Sequence, residues 1–257
     1  MSNQLLLRRF EEIGARAKLV RASSPRIDVR VDRRGEYFEL GVLGARDANV
    51  RVVDIDDVDR ALLLLVGEGW EKSKFLCGFD ERHWFVAAIP EAADGVAGVV
   101  SAKDALQPEA VRERVARVRP KDRFRRRNAA YVRQGEWFFL PAGSLVVDER
   151  EILHDEPLSR GWGKIHRLEF AFRIGGETVY VSSQFPTGLT QEEFDRLPPR
   201  QHRDGGPWQE MARDPELYAK GSVSHPDHAT IRLHGWHRVL MNTEREARAM
   251  QHVAFLD

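Results

Sequence analysis

Cysteine is almost absent. Cys77 stands alone among 257 residues, which excludes a disulfide framework and any metal site built on cysteine pairs. Long apolar runs are missing too. None exceeds six residues (Ala61 to Val66), about a third of a bilayer-spanning helix. The opening segment carries only three leucines, with Arg8 and Arg9 behind them, which is not a signal-peptide core. These absences predict a cytoplasmic protein with no membrane partner. Lysine is scarce, 7 against 33 arginines, a bias expected of a GC-rich bacterial genome. No glycine-rich phosphate loop and no repeat at solenoid period occurs. The helical His-x-x-x-His and the strand His-x-His of common metal sites are missing as well.

What is present describes a globular chain. Hydrophobic residues make up 42% and charged residues 31%, so the length can bury a sizeable core. An opening helix is predicted over Ser2 to Ile13, with Leu6, Phe10 and Ile13 on one face. Alternation broken by turn residues predicts hairpins over 27–43, 74–89 and 164–183, the last turned by Gly175-Gly176. A further hairpin is expected around Gln134-Gly135-Glu136. Asp56-Asp57 suggests a short helix through Leu65, and Ser101 and Pro108 mark two helical starts. Thr190 and Glu193 form a capping box. Residues 198–215 read as a surface loop, and Thr243 opens a helix to about Phe255. Hairpins outnumber crossovers, so the expected class is α+β with largely antiparallel sheets. A boundary near 119 divides an N-terminal α+β half, 1–119, from a strand-rich half, 120–257, unless the two form one continuous domain.

The zero net charge conceals a segregation. Between Arg112 and Arg133 there are ten basic residues against two acidic ones, +8, leaving −8 on the rest. Guanidinium groups bind phosphates through paired donors, and aromatics inside such a strip can stack on bases. Arg119, Lys121, Arg123, Arg125, Arg126, Arg127 and Tyr131 are therefore candidate nucleic-acid contacts, to DNA or RNA, and Phe124 lies among them. The competing explanation is a solvated face whose arginines pair with carboxylates of the same fold.

Histidine is concentrated in one segment: five of nine lie between 202 and 237. Imidazole ligates zinc, iron and copper and also serves as a general acid or base. His225 and His228 flank a tight Pro-Asp turn and can converge; His234 and His237 can do so around Gly235. His225, Asp227, His228 and His237 are thus candidate ligands of a divalent metal, with His154 or His202 as an outside ligand. His228 and His234 are the candidate catalytic pair. They lie six residues apart, about 20 Å along a strand. His228-Ala-Thr230-Ile231 resembles one half of the paired His-x-Thr signature of two-histidine phosphoesterases. The second tripeptide is missing, since His83-Trp-Phe85 and His166-Arg-Leu168 lack the hydroxyl, so that chemistry is not carried over. His166 alternates with Leu168, Phe170 and Phe172 and is expected on a core face. Cys77 sits in an apolar strand and reads as an inert thiol.

Three functions remain open on these grounds. The leading one is a cytosolic nucleic-acid or polyanion binder, with phosphodiester chemistry supplied by histidine or a histidine-bound metal. The others are a non-catalytic protein-interaction or assembly component and a small-molecule enzyme with a histidine-bound metal.

Overall fold

The structure, a computed structural model, describes residues 3–23, 25–42, 50–68, 71–159 and 164–247. Strands, largely antiparallel, make up about half of the chain, with a few short helices between them. Helix α1 (Asn3–Glu12) buries Leu6 and Phe10, the face set by their spacing. Strands β1 (Ala17–Arg21), β2 (Arg26–Asp32) and β3 (Gly35–Val42) form a three-stranded sheet in the order β1-β3-β2. The β2–β3 hairpin is antiparallel as predicted, whereas β1 runs parallel to β3.

The second sheet is an antiparallel meander of β4 (Val50–Asp56), β5 (Ala61–Glu68), β6 (Glu71–Asp80) and β7 (His83–Ile89). The predicted helix through Leu65 is instead β5. Its residues alternate between two cores: Leu62, Leu64 and Val66 join α1 and β3, while Ala61 and Leu63 face helix α2 (Val99–Ala105). A strand buried on both faces reads as a continuous apolar run, so its period is invisible in the sequence. The aspartates before it have local duties. Asp56 accepts the Asp59 amide in the turn, and Asp54 accepts the Val99 amide at the start of α2.

Helix α3 (Glu109–Val115) follows Pro108 and packs Val111 and Val115 with Ala130, Tyr131, Phe138 and Leu140. Those residues flank β8 (Val132–Gln134) and β9 (Trp137–Pro141), the expected hairpin around Gly135. Strands β10 (Leu153–Leu158), β11 (His166–Ile174), β15 (Glu216–His225) and β16 (His228–Met241) complete a six-stranded sheet in the order β10-β11-β15-β16-β9-β8. Ala247 packs into the α1 core.

The hairpin expected over 164–183 does not form. β12 (Glu177–Val181) leaves β11 and pairs with β13 (Leu189–Thr190) and β14 (Gln209–Arg213) in a separate small sheet. β11 takes β15 as its partner. Gly175 and Gly176 have the positive φ (69° and 91°) of a tight turn. A Cβ on Gly176 would stand 2.7 Å from the Arg213 carbonyl oxygen, so this glycine permits the close approach of the end of β14 just before β12 begins. The expected 198–215 loop holds helix α5 (Pro199–Asp204) and β14, and α4 (Gln191–Asp195) starts at the Thr190–Glu193 capping box. A single 3-10 turn, Thr243–Glu246, is described where the final helix was expected; its continuation to Phe255 lies outside the described residues.

Candidate functional site

The β15–β16 hairpin places His225 opposite His228 across the Pro226-Asp227 turn. The register of β11 on β15, with Arg167 opposite Ser224, brings His166 beside them. The three rings pack together: His166 stacks on His225 and His228 at centroid distances of 4.3 Å and 5.8 Å, and His225 and His228 are tilted to each other at 4.7 Å. One nitrogen of each can be chosen so that all three lie within 4.8 Å of one another. Tetrahedral zinc with imidazole nitrogens at 2.0–2.1 Å separates its ligands by about 3.3 Å, so a modest contraction suffices.

Gly135 makes the room. It adopts φ +57°, and a Cβ there would lie 3.1 Å from His228 Nε2 and 3.7 Å from His166 Nε2. Both Nε2 atoms therefore face one small volume that any other residue at position 135 would occupy. His166 is 2% exposed, and its Nε2 is buried without a hydrogen-bond partner. His228 Nδ1 is likewise buried and unbonded, standing 3.5 Å from Glu81 Oε2. Native proteins seldom leave such buried nitrogens unsatisfied.

Glu81 holds the rim. It occupies the β6–β7 turn at φ +54°, unusual for a residue with a side chain. Its Oε2 accepts the Ala229 amide at 2.9 Å, and its other oxygen pairs with Arg126. At 3.5 Å from His228 Nδ1 the carboxylate makes no hydrogen bond to the ring, but a small approach would give the carboxylate–histidine pairing found behind metal-ligating histidines. His225 is engaged differently: its Nδ1 accepts the Asp227 amide at 3.1 Å. Ligation through its other nitrogen moves the ring proton to Nδ1 and breaks that bond, so His166 and His228 are the anchoring pair.

Burial keeps the cluster neutral. Desolvation, reinforced by His225 and His228, lowers the His166 pKa from 6.5 to about 3. The His225 and His228 pKa values are also lowered, in both cases chiefly by desolvation. Neutral imidazole is the ligating form, so no proton competes with a cation at neutral pH.

The rest of the histidine segment is placed apart. Asp227 pairs with Lys164 at 2.7 Å and contributes its backbone amide to the site, not its carboxylate. His237 is buried among β9 and β15 neighbours, with Nδ1 bonded to the Gly235 carbonyl at 2.8 Å, and does not join the cluster. His234 is exposed, six residues along β16 from His228, and forms no catalytic pair with it. The histidine that joins His225 and His228 from outside the segment is His166, not His154 or His202. Cys77 is fully buried, and burial pushes its thiol pKa up, leaving no nucleophile.

The basic strip is partly spent on the fold. Arg126 pairs with Asp80 and Glu81, Arg133 with Asp80, and Arg119 and Arg125 with Asp122. Arg123 and Arg127 donate to the carbonyls of Val118 and Arg232. Tyr131 is 2% exposed, edge-on to Phe138 with its hydroxyl donating to the Arg123 carbonyl, so it cannot stack on a base. Lys121 makes no ion pair among the described residues, and the Arg125 side chain is 67% exposed.

Strip and histidines nevertheless meet. A cleft of about 940 Å³ is lined by Lys121, Phe124, Arg125, Arg126 and Arg133 together with Gly135, Glu136 and His228. This volume is in the usual range for small-molecule sites. Among the described residues no helix is long and apolar enough to cross a membrane. The chain matches no protein-family model, no curated protein and no solved structure, so the site itself must carry the functional argument. Fold and site together define a largely antiparallel-sheet protein with a partly buried three-histidine cluster whose His228 lines a basic cleft.

Proposed function

We propose that the chain holds a divalent transition metal on His166, His225 and His228 and hydrolyses a phosphoester bound in the adjoining cleft. The observation that carries this reading is the convergence of three imidazoles with one nitrogen of each within 4.8 Å of the others, the Nε2 atoms of His166 and His228 both facing the space left by Gly135 and the former buried without a partner. A zinc-like ion held by three histidines keeps a fourth position for water and lowers that water's pKa to about 7.

The chain's own residues supply the rest. Lys121 and Arg125 attract and orient the phosphate, while Arg126 and Arg133, held by Asp80, keep the wall rigid. Glu136, next to Gly135 and lining the cleft, takes the water proton. Hydroxide oxygen bonds to phosphorus, the ester P–O bond breaks, and the leaving oxygen departs with a proton from solvent. The polyanion-binding reading of the strip is thereby narrowed to a small phosphate ligand: most strip arginines already have partners, and of the basic residues lining the cleft Lys121 makes no ion pair among the described residues while Arg125, paired with Asp122, keeps a largely exposed side chain.

The test uses a chromogenic phosphodiester, bis(p-nitrophenyl) phosphate, with chelator-stripped protein supplied with zinc, manganese or cobalt in turn. Metal-dependent release of nitrophenolate is expected, abolished in His166→Ala and with raised KM in Lys121→Gln/Arg125→Gln. No turnover with any of the three metals, or turnover unaffected by His166→Ala, contradicts the reading.

A further inference from the structure

The wall that β6 and β7 give the cleft changes character along its length, and the strand register sets the order. Asp80 and His83 are paired at the turn. Gly78 and Phe85 form the next pair on the same face, and Leu76 and Ala87 the one after. All six line the cleft. The turn is the charged end: Asp80 holds Arg126 and Arg133, and the adjoining Glu81 stands 3.5 Å from His228. One step along, about 7 Å at strand rise, the wall is apolar. There Phe85 packs with Ala61, Leu76 and Ala87 on the side that faces α2.

Gly78 shapes this part of the wall. It lies mid-strand, and its pairings to Ala61 on β5 and to Phe85 on β7 contain no bulge. Its φ is outside the left-handed region, so the backbone does not call for glycine. A glycine inside a regular strand weakens it and often marks a close approach. Here the approach is by Phe85: a Cβ on Gly78 would lie 2.9 Å from the ring's Cε1 and Cζ. The ring fills the place of the missing side chain, and a larger residue would displace it. Phe85 is half-buried, so part of its surface stays open to the cleft.

Val100 on α2 lines the same cleft and is 57% exposed, although Val99 and Ala102 already fill the inward face of the helix. Lys103, three residues on, brings no free charge. Its Nζ is bonded to Asp59 at 2.5 Å and stands 5.7 Å from the centre of the Phe124 ring. Accessible apolar side chains a single strand step from a cationic end suit a ligand with the same division.

We propose that the phosphoester taken by this cleft bears an apolar group, aryl or short branched alkyl, on its ester oxygen. That group rests on Phe85 and Val100, and the phosphate meets the cations at the Asp80 end. A sugar or polyol in its place would set hydroxyls against carbon with no partner, whereas an apolar group removes carbon surface from water on both sides. The inference rests on the cleft being the phosphate site proposed above, and not on the metal or on hydrolysis.

The experiment is a calorimetric comparison of phenylphosphonate, methylphosphonate, ribose 5-phosphate and AMP on chelator-stripped protein, where no turnover interferes. Phenylphosphonate should bind at least fivefold more tightly than each of the others. Val100→Asn, at an exposed helix position, should lower the phenyl-to-methyl ratio at least twofold and leave methylphosphonate affinity in place. Gly78→Ala should lower the ratio by displacing Phe85. Lys121→Gln/Arg125→Gln should weaken both phosphonates and keep the ratio. Because the preference is read on the unaltered protein, a variant that fails to fold does not decide the matter. A preference below fivefold over any of the three, or a phenyl-to-methyl ratio that neither Val100→Asn nor Gly78→Ala lowers, overturns the inference. A preference that persists in protein showing no metal-dependent turnover of bis(p-nitrophenyl) phosphate supports it and removes the hydrolytic reading alone.

Discussion

His166 gives the fold a pH dependence whose sign and size follow from its burial. Below pH 6.5 the imidazole takes up a proton in the unfolded chain, whereas in the fold its pKa is lowered to about 3 by desolvation and by His225 and His228. The unfolded state therefore binds more protons throughout that window, and stability falls as pH falls from 6.5 toward 3. Each pH unit inside the window is worth about 1.4 kcal/mol, so lowering the pH to 5 costs up to about 2 kcal/mol from this residue. Lowered values at His225 and His228 act in the same direction. His166→Phe keeps a flat ring, removes the titrating group and leaves no unbonded nitrogen. Urea unfolding followed by tryptophan fluorescence at pH 7, 6 and 5, with chelator present, isolates the effect. The stability lost between pH 7 and 5 should shrink by up to about 2 kcal/mol in the variant. An unchanged pH slope refutes the claim that His166 is buried and neutral.

Three other perturbations test the surroundings of the cluster. Gly135→Ala forces a Cβ into a left-handed position 3.1 Å from His228 Nε2; it should lower stability by about 1–2 kcal/mol in thermal unfolding and weaken zinc binding. Glu81→Gln keeps the shape but removes the charge behind His228, and zinc affinity measured by competition with a chromophoric chelator should fall about tenfold or more. Arg126→Ala leaves Asp80 and Glu81 short of a partner and should cost about 1–2 kcal/mol in urea, since the pair is only half-buried.

Local chemistry in the chain announced the α1 face, the hairpins at β2–β3, β6–β7 and β8–β9, and the Thr190–Glu193 box, because turns and caps are written in adjacent residues. Burial on both faces hid β5, whose leucines show no period. The 164–183 hairpin failed for another reason: Gly175-Gly176 has the backbone of a tight turn, but β15, some 40 residues on, competes successfully for β11. The same long-range pairing explains the site. His225 and His228 were legible from the Pro-Asp turn between them. His166 was legible only as a buried residue, since nothing near it in sequence records that β11 ends beside that turn. Glu81 and Gly135 were legible only as turn residues, with nothing to mark them as neighbours of the histidines. An unusual φ at a glutamate and an empty space beside two imidazoles exist only in three dimensions. Asp227 and His237 had the right residue types in the wrong directions.

Zinc binding at equilibrium is the most direct measurement of the central claim. Chelator-stripped protein should take up one zinc per chain. His166→Ala and His228→Ala should lose that binding, whereas His234→Ala, exposed and outside the cluster, should retain it. Affinity should stay level from pH 8 to about 6.5, because the imidazoles are already neutral there. Absence of stoichiometric zinc binding, or binding that survives His166→Ala and is lost in His234→Ala, would contradict the account.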